Sequence, residues 1–345
     1  MGKHPDGGKD KDSELQRTVS FVDAPGHETL MAVMISGASI MDGALLLIAA
    51  NEQCPQPQTR EHLAALQIAG IENIVIVQNK VDLVTRERAI ESYNEISEFV
   101  SGTIAENAPI IPVSAHHDVN LDILIQAVED KIPTPNRGDE DGMLHIARSF
   151  DINRPGTRPD GLKGGIIGGS IVRGRFSKGD NVVIAPGRRN TQGSKQKWTP
   201  IETRIMSMKG GGLDLEEMNA GGLCGISTPL DPAMTKADNL SGQVMARKGE
   251  LPPIWEVMTL DLTLLERMVA SEEGKADKVK PLALNEMLMI NAATATSVGV
   301  VNKVSKGVTT LTLRLPICAP VGSRVTLSRR VDSRWRLIGH GTISG

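Results

Sequence analysis

The chain has few aromatic residues, few cysteines and no long apolar run. Phe, Trp and Tyr make up 2% of the 345 residues, so its cores must be aliphatic and broad stacking on nucleic-acid bases is not expected. The three cysteines are far apart and show no Cys-x-x-Cys spacing, which argues against a disulfide framework and against a zinc site within this chain. No stretch approaches the ~20 apolar residues that span a bilayer. The first 14 residues are polar, so they do not predict a signal peptide, and we expect a cytoplasmic protein with no membrane partner.

Two kinds of hydrophobic pattern divide the chain. From residue 18 to about residue 133, apolar runs alternate with helical patterns, which predicts a parallel sheet with crossover helices. The predicted strands are 18–22, 44–49, 74–78 and 110–113, and the predicted helices are 27–36, 59–69, 86–106 and 121–131. After residue 143 the helical period disappears, and short β-branched runs separated by Gly, Pro, Asn and Asp predict all-β barrels. The predicted strands of the first barrel include 165–172, 181–184, 201–208 and 222–227.

The expected fold class is therefore an α/β domain followed by two all-β barrels. A polar N-terminal tail covers residues 1–17, and the α/β domain covers residues 18–133. A linker rich in Pro, Gly and acidic residues follows over residues 134–142. The first barrel then covers residues 143–250, and the second covers residues 251–345.

The motif Asn79-Lys80-Val81-Asp82 follows the third predicted strand and is a candidate guanine-recognition loop. Guanine presents N1–H and N2–H₂ as adjacent donors, and an ionised carboxylate such as Asp82 accepts both at once. Asn79 can bond to the base edge and tie the loop together, while the stem of Lys80 can cover the purine face. Four residues recur often by chance, so a simple polar turn is the alternative for this motif taken alone.

Two further loops fall at the same predicted edge of the sheet, where ligands of open α/β sheets bind. Ser114-Ala115-His116 follows the fourth predicted strand and offers a backbone N–H to guanine O6. Asp23-Ala24-Pro25-Gly26 follows the first strand, where Asp23 can hold a water on Mg²⁺ and Gly26 can contact a γ-phosphate. His27 either orients a hydrolytic water or is only a cap or a solvated group. Three such loops at three strand ends predict a GTP-dependent switch.

One element of such a site is missing from the sequence. A G-x-x-x-x-G-K-[ST] loop supplies the backbone N–H groups and the Lys that hold the β- and γ-phosphates, together with the hydroxyl that holds Mg²⁺. No such sequence occurs in this chain. Residues 2–9 contain Gly and Lys but lack the spacing, the following Ser or Thr and a preceding strand. Phosphate binding therefore cannot be assigned from the sequence in the usual way.

These residues resemble the gamma subunits of archaeal and eukaryotic translation initiation factor 2, a family of translational GTPases. The resemblance runs from about residue 19 to residue 341, almost the whole chain. Several of its segments are long enough to separate this family from elongation factor Tu and from the selenocysteine-specific elongation factor. The segments that carry it are 21–31, 55–63, 77–83, 105–110, 147–151, 328–330 and 334–339.

The resemblance implies a GTPase that binds GTP or GDP with Mg²⁺ and delivers initiator methionyl-tRNA to the small ribosomal subunit. It implies a heterotrimer, with the alpha subunit on the first barrel and the beta subunit on the GTPase domain. The acceptor end of the tRNA would lie between the GTPase domain and the first barrel. Asp23 and Gly26 would sense Mg²⁺ and the γ-phosphate, and His27 would position the attacking water. The residues that would contact guanine, carried over by position, are Asn79, Lys80, Val81, Asp82, Ser114, Ala115 and His116.

The sequence departs from this family at its beginning. The family starts with a strand, a phosphate-binding loop, its helix, the first switch and a cysteine-rich zinc knuckle, none of which occurs here. We therefore expect a partial GTPase domain and no zinc. The lost strand would lie between those ending at Asp23 and Ala49, and each backbone group left buried without a partner would cost ~1–3 kcal/mol. A non-hydrolysing adaptor that binds tRNA and the other subunits is therefore the alternative hypothesis.

A basic cluster near the end of the chain has two interpretations. Because the net charge is −3, any contact with nucleic acid must come from local basic patches such as this one. The cluster either contacts the tRNA backbone or is a solvated strand face with local ion pairs. Its members are Arg324, Arg329, Arg330, Arg334 and Arg336.

Overall fold

The computed structural model describes residues 17–23, 40–135, 137–138, 141–192, 195–266, 278–331 and 334–345. The predicted helix 27–36 lies outside these residues, as do Gly26 and His27. In the first part of the chain, helices follow the strands of a parallel sheet. These elements are β1 (Ala44–Ala49), α1 (Pro57–Ala69), β2 (Ile74–Asn79), α2 (Arg86–Val100), β3 (Ile110–Pro112) and α3 (Leu121–Lys131).

The sheet of this first domain has the order β1-β2-β3, and all three strands are parallel. Its central strand β2 is a continuous aliphatic run with Ile74 to Gln78 all buried, as expected for a parallel strand covered on both faces. Ile76 at its centre belongs to an aliphatic core with Leu46 of β1 and Ile96 of α2. The strands were therefore predictable from hydrophobic runs alone.

Residues 18–22 were predicted to be a strand of this sheet, and this prediction is wrong for the structure. Residues 17–23 have no strand assignment, and the side chain of Phe21 is 72% exposed. Arg17 bonds to the Glu129 carboxylate and to the carbonyl of Ile132, and the Ser20 hydroxyl accepts from the N–H of Leu223 in the middle domain. These tertiary contacts outweigh the β propensity of the segment. Within the described residues, β1 consequently pairs only with β2.

The helices differ from prediction at their ends. Helix α1 begins at Pro57 rather than after an N-cap at Thr59, because proline is favoured at a first helical position, where its missing N–H costs nothing. Gly70 ends α1 in the left-handed region with φ 75°, as the sequence indicates. Helix α2 ends at Val100 and not at 106, since Ser101 and the left-handed Gly102 (φ 71°) turn the chain away. No helix in the described residues is both long and apolar enough to cross a membrane.

The middle domain is all-β apart from short helical turns. Eight strands form one sheet in the order β10-β9-β12-β5-β4-β13-β7-β8, and β11 pairs with β6. A core around Phe176, Leu144 and Ile171 fills this domain. The predicted strand 201–208 is divided between β8 and β9. The elements are β4 (Met143–Phe150), β5 (Ile166–Arg173), β6 (Arg175–Ser177), β7 (Asn181–Gln192), β8 (Lys195–Arg204), β9 (Ser207–Gly210), β10 (Leu213–Leu215), β11 (Glu217–Asn219), β12 (Cys224–Ser227), α4 (Pro232–Thr235) and β13 (Val244–Arg247).

The last domain is a closed six-stranded barrel in the order β14-β17-β16-β15-β18-β19. Closure pairs every strand on both sides and leaves no open edge. Its interior is aliphatic, with Leu288, Val301 and Leu327 fully buried. Its strands are β14 (Ile254–Leu264), β15 (Met287–Ala292), β16 (Ala295–Ser305), β17 (Val308–Cys318), β18 (Arg324–Val331) and β19 (Arg334–Ile343).

Helix α1 packs against the outside of this last barrel. Ala65 and Ile68 on the helix form a small apolar cluster with Leu337 on β19. At the end of the helix, the Arg324 Nη1 donates to the carbonyl oxygen of Ile68 at 2.9 Å. An added Cβ at Gly70 would lie 2.2 Å from the same nitrogen, so only glycine leaves room for this contact. The barrel therefore completes the hydrogen bonding at the C-terminus of α1.

Three arginines of the predicted basic cluster are engaged within the chain. Arg336 pairs with Glu61 of α1 at 3.4 Å, although that carboxylate residue is only 3% exposed. Arg329 pairs with Glu286 and also donates to the carbonyls of Lys280 and Pro281. Together with Arg324, these contacts favour the interpretation of local ion pairs over contact with a tRNA backbone.

The aliphatic core of the parallel sheet sets the stability of the first domain. Ile76→Ala should lower the free energy of unfolding by about 2–5 kcal/mol, because it removes a fully buried side chain and leaves a cavity. Leu47→Ala on β1 is the matched control, since Leu47 is 60% exposed and its truncation should change stability by about 0.5 kcal/mol or less. Urea denaturation followed by far-ultraviolet circular dichroism measures both. Equal losses for the two variants would contradict the assignment of this core.

Candidate functional site

Two of the three predicted loops meet at the carboxyl end of the sheet. Strand β2 ends at Asn79, and β3 is followed directly by Val113 and Ser114. The N–H of Val113 donates to the carbonyl of Gln78 at 2.8 Å, and the N–H of Val81 donates to the carbonyl of Val113 at 3.3 Å. The two loops are therefore held side by side by backbone hydrogen bonds.

A side-chain bond joins the loops at their tips. The Asn79 Oδ1 accepts from the backbone N–H of Ala115 at 3.2 Å. Lys80 then takes a left-handed conformation with φ 63°, and residues Val81–Leu83 form a single 3₁₀ turn. This tight turn places Asp82 beside Ser114, on the other loop. The sequence predicted that Asn79 ties the loop together, and the geometry is consistent with that role.

Asp82 is the carboxylate at the centre of this arrangement. The Ser114 hydroxyl beside it lowers its pKa below the ordinary 3.8, and its own backbone N–H and the nearby His117 and His116 act in the same direction against a smaller effect of burial. Ser114 is fully buried, so its hydroxyl acts on Asp82 from a position shielded from solvent. His117 Nε2 lies 3.7 Å from the Asp82 Oδ2. At neutral pH the group is therefore ionised and acts only as an acceptor.

The structure brings together one group of the predicted residues. The group at the carboxyl edge of β2 and β3 consists of Asn79, Lys80, Val81, Asp82, Ser114, Ala115 and His116. Asp23 is exposed and follows residues 17–22, which form no strand, so it does not follow a strand of the sheet as predicted. Gly26 and His27 lie outside the described residues.

Two features of this region were missed by the sequence analysis. His117 was not among the predicted site residues, but it lies 3.7 Å from the Asp82 carboxylate and helps to lower its pKa. A cleft of about 420 Å³ lies between the end of β1 and the start of α1, with Leu47, Gln53 and His62 among its lining residues. Burial lowers the pKa of His62. The run of glutamines that follows β1 was the available signal for a polar cleft at this edge.

An α/β domain with paired loops of this kind, followed by two β domains, defines a translational GTPase. The profile of the elongation factor Tu GTP binding domain matches residues 12–134, and that of the C-terminal domain of initiation factor eIF2 gamma matches residues 256–343. The solved structure of translation elongation factor SelB from Methanococcus maripaludis with a GTP analogue has a TM-score of 0.72 and 20% identity. It covers 94% of this chain and 70% of its own, which shows the shared fold.

Curated relatives define the family more closely. Translation initiation factor 2 subunit gamma of Methanocaldococcus jannaschii is 54% identical over 335 residues, which cover 97% of this chain and 81% of the relative. The corresponding subunit of Methanothermobacter thermautotrophicus is 54% identical over 333 residues, covering 96% and 81%. The chain belongs to the family of translation initiation factor 2 gamma subunits. It is thus a guanine-nucleotide-binding protein of a translation initiation complex.

The electrostatics of Asp82 can be tested without nucleotide. Ser114→Ala should raise the pKa of Asp82 towards 3.8, because the hydroxyl is the largest influence that lowers it. Titration of the carboxyl carbon by nuclear magnetic resonance measures this shift. Because the pKa of Asp82 in the folded parent protein lies below 3.8, its carboxylate stays largely ionised as the pH falls through 3.8. In Ser114→Ala the same carboxylate is protonated at a higher pH.

Thr85→Ala is the matched control for this titration. The Thr85 hydroxyl lowers the pKa of Glu87 but is not among the groups that act on Asp82. The control should therefore raise the pKa of Glu87 and leave that of Asp82 in place. An Asp82 titration that is unchanged in Ser114→Ala would show that the two loops are not coupled through this hydroxyl.

Proposed function

We propose that this chain binds GTP and initiator methionyl-tRNA and delivers the tRNA to the small ribosomal subunit, with GTP hydrolysis as the release step. The observation that carries the proposal is the convergence of the two loops, with the Asn79 Oδ1 bonded to the Ala115 N–H at 3.2 Å. The family of initiation factor gamma subunits supports the role in initiation. The non-hydrolysing adaptor is the less favoured alternative.

Guanine recognition follows from the chemistry of the two loops. The ionised Asp82 accepts from N1–H and N2–H₂ of guanine and would repel adenine, which presents an acceptor at N1. Asn79 orders the loops through its bond to Ala115 and has its amide nitrogen left for the base edge. The Ala115 N–H is bonded to Asn79 and positions the loop beside O6, and His116 supplies the next backbone N–H along the loop. Lys80 and Val81 belong to the turn after β2, and their side-chain stems cover the purine face.

The phosphate end of the nucleotide is assigned to the segment that begins at Asp23. Asp23 would hold Mg²⁺ through a water, Gly26 would contact the γ-phosphate and His27 would position the attacking water. A single exposed carboxylate such as that of Asp23 fits this ion, because Mg²⁺ keeps several waters and takes one or two carboxylates together with phosphate oxygens. When bound, Mg²⁺ neutralises charge on the phosphates. The role of His27 is to orient water and accept its proton.

The partners of this function follow from the same family. We assign the alpha subunit to the middle domain and the beta subunit to the GTPase domain, which gives a heterotrimer in the cytoplasm. The acceptor end of the tRNA lies between the GTPase domain and the middle domain. Arg17 and Ser20 already connect these two domains, since they contact α3 and Leu223 respectively. The domain boundaries at 133, 142 and 250 remain part of this proposal.

Asp82→Asn tests guanine recognition directly. In the parent protein GDP should bind roughly 10- to 100-fold more tightly than IDP, which lacks the 2-amino group, because each hydrogen bond to a charged group contributes about 1.5–3 kcal/mol. Asp82→Asn should abolish this preference, since its amide nitrogen then faces the N2–H₂ donor that distinguishes GDP from IDP. Isothermal titration calorimetry with GDP, IDP and ADP measures all three affinities.

A neutralised carboxylate elsewhere on the same domain is the control. Asp122→Asn removes one charge from the exposed first turn of α3 and should leave the GDP-over-IDP preference intact. A full GDP preference in Asp82→Asn would refute the assignment of Asp82 to the guanine edge.

Hydrolysis is tested separately with His27→Ala. Single-turnover hydrolysis of GTP should fall by about 10²- to 10⁴-fold, the usual contribution of a positioned general base, while GDP affinity stays within about twofold. Rapid-quench assays measure the rate, and calorimetry measures the affinity. If the parent chain binds GDP but shows no hydrolysis above the uncatalysed rate, the adaptor alternative replaces the proposed switch.

A further inference from the structure

A β-hairpin of the middle domain extends beyond the core that it belongs to. In β7, residues 182–187 are buried, but the next two side chains, Arg188 and Arg189, are exposed. The pairing with β8 shifts register after Ile184 and resumes from Arg188↔Thr199 to Gln192↔Lys195. Gly187 allows the bend, because it has φ 90° and an added Cβ there would lie 2.0 Å from the Thr199 carbonyl oxygen. We call residues 188–192 and 195–199 the basic arm.

The basic arm carries one sign of charge. By sequence, residues 185–201 include four basic residues and no acidic one, in a chain whose net charge is −3. The register places Arg188, Asn190, Lys197 and Thr199 on one face, and the Asn190 amide donates to the Thr199 hydroxyl at 3.0 Å across it. Within the described part of the chain, Arg188 and Lys197 form no ion pair, in contrast to Arg329 and Arg336. This face therefore offers two unneutralised cations flanking polar groups.

The arm is suited to a polyanion and not to an apolar partner. Its opposite face pairs Arg189 with Trp198, the only large apolar side chain between residues 188 and 199. The paired part of the arm is five residues long, about 16 Å at the usual rise of a strand. In helical RNA, proteins contact phosphates and 2′-hydroxyls across the wide, shallow minor groove. A ribbon of this length with cations and amide donors on one face matches that surface.

We propose that the basic arm binds the phosphate backbone of helical RNA through Arg188 and Lys197. This surface is separate from the nucleotide site, and it lies on the middle domain, to which we also assign the alpha subunit. Because the arm contacts the RNA backbone, it has no base preference. Its affinity for RNA falls steeply as the salt concentration rises. An acidic protein surface is the competing class of partner, and competition with poly-glutamate distinguishes it from RNA.

The test measures binding of a fluorescein-labelled RNA duplex to the full chain by anisotropy over a range of KCl concentrations. The double variant Arg188→Gln/Lys197→Gln should bind about tenfold more weakly, and its slope of log K against log salt should be shallower by about 1.8, which is 0.9 for each lost phosphate contact. Circular dichroism and GDP affinity should equal those of the parent chain. A failure of GDP binding would concern only the nucleotide site.

The matched control removes two exposed lysines from the last barrel. Lys303→Gln/Lys306→Gln makes the same change in net charge and should leave both the affinity for RNA and the salt slope unchanged. An equal loss in both double variants would show a general charge effect and overturn the assignment to the arm. An unchanged slope in Arg188→Gln/Lys197→Gln would also overturn it. If poly-glutamate displaced the labelled duplex as effectively as unlabelled RNA of equal charge, the arm would be assigned to an acidic protein instead.

Discussion

The hydrogen bonds between β2 and β3 are the constraint on which the nucleotide site depends. Parallel pairing brings the ends of both strands to one edge, and the bonds from Val113 and Val81 continue this pairing into the loops. The Asn79 side chain then fixes the Ala115 N–H, and the buried Ser114 hydroxyl lowers the pKa of Asp82. In the proposed function, specificity for guanine would thus be built on backbone geometry, because two paired strands position this carboxylate.

Helix α1 connects this edge of the sheet to the last barrel. Its first turn lines the cleft beside β1, and its last turn is covered by Leu337 and bonded to Arg324. Glu61 lies near the start of the helix and pairs with Arg336. A buried pair of this kind costs desolvation, and its main effect is to penalise any arrangement that leaves Glu61 without a cation. The helix therefore constrains how the barrel is oriented against the GTPase domain.

The sequence was sufficient for the fold class and the family, and its errors have local causes. β1, β2 and α3 were predicted to within one residue because long aliphatic runs and amphipathic periods determine them. The strand 18–22 failed because a β-branched pattern shows only that a segment can be extended, whereas its partner is a matter of tertiary contacts. The break between β8 and β9 was missed because a change of sheet partner leaves no mark on an apolar run. His117 was missed because proximity to Asp82 depends on the turn after Ser114.

The contact between Arg324 and the end of α1 has a consequence for synthesis of the chain on the ribosome. The donor and the acceptor of this bond are 256 positions apart, and domains generally fold in the order in which they emerge. While the barrel is unfinished, the nascent α/β domain presents Ala65 and Ile68 to solvent, together with an unsatisfied helix terminus. The helix acquires its final cap only when one of the last strands has emerged. Until then these two apolar side chains and the end of the helix stay exposed to solvent.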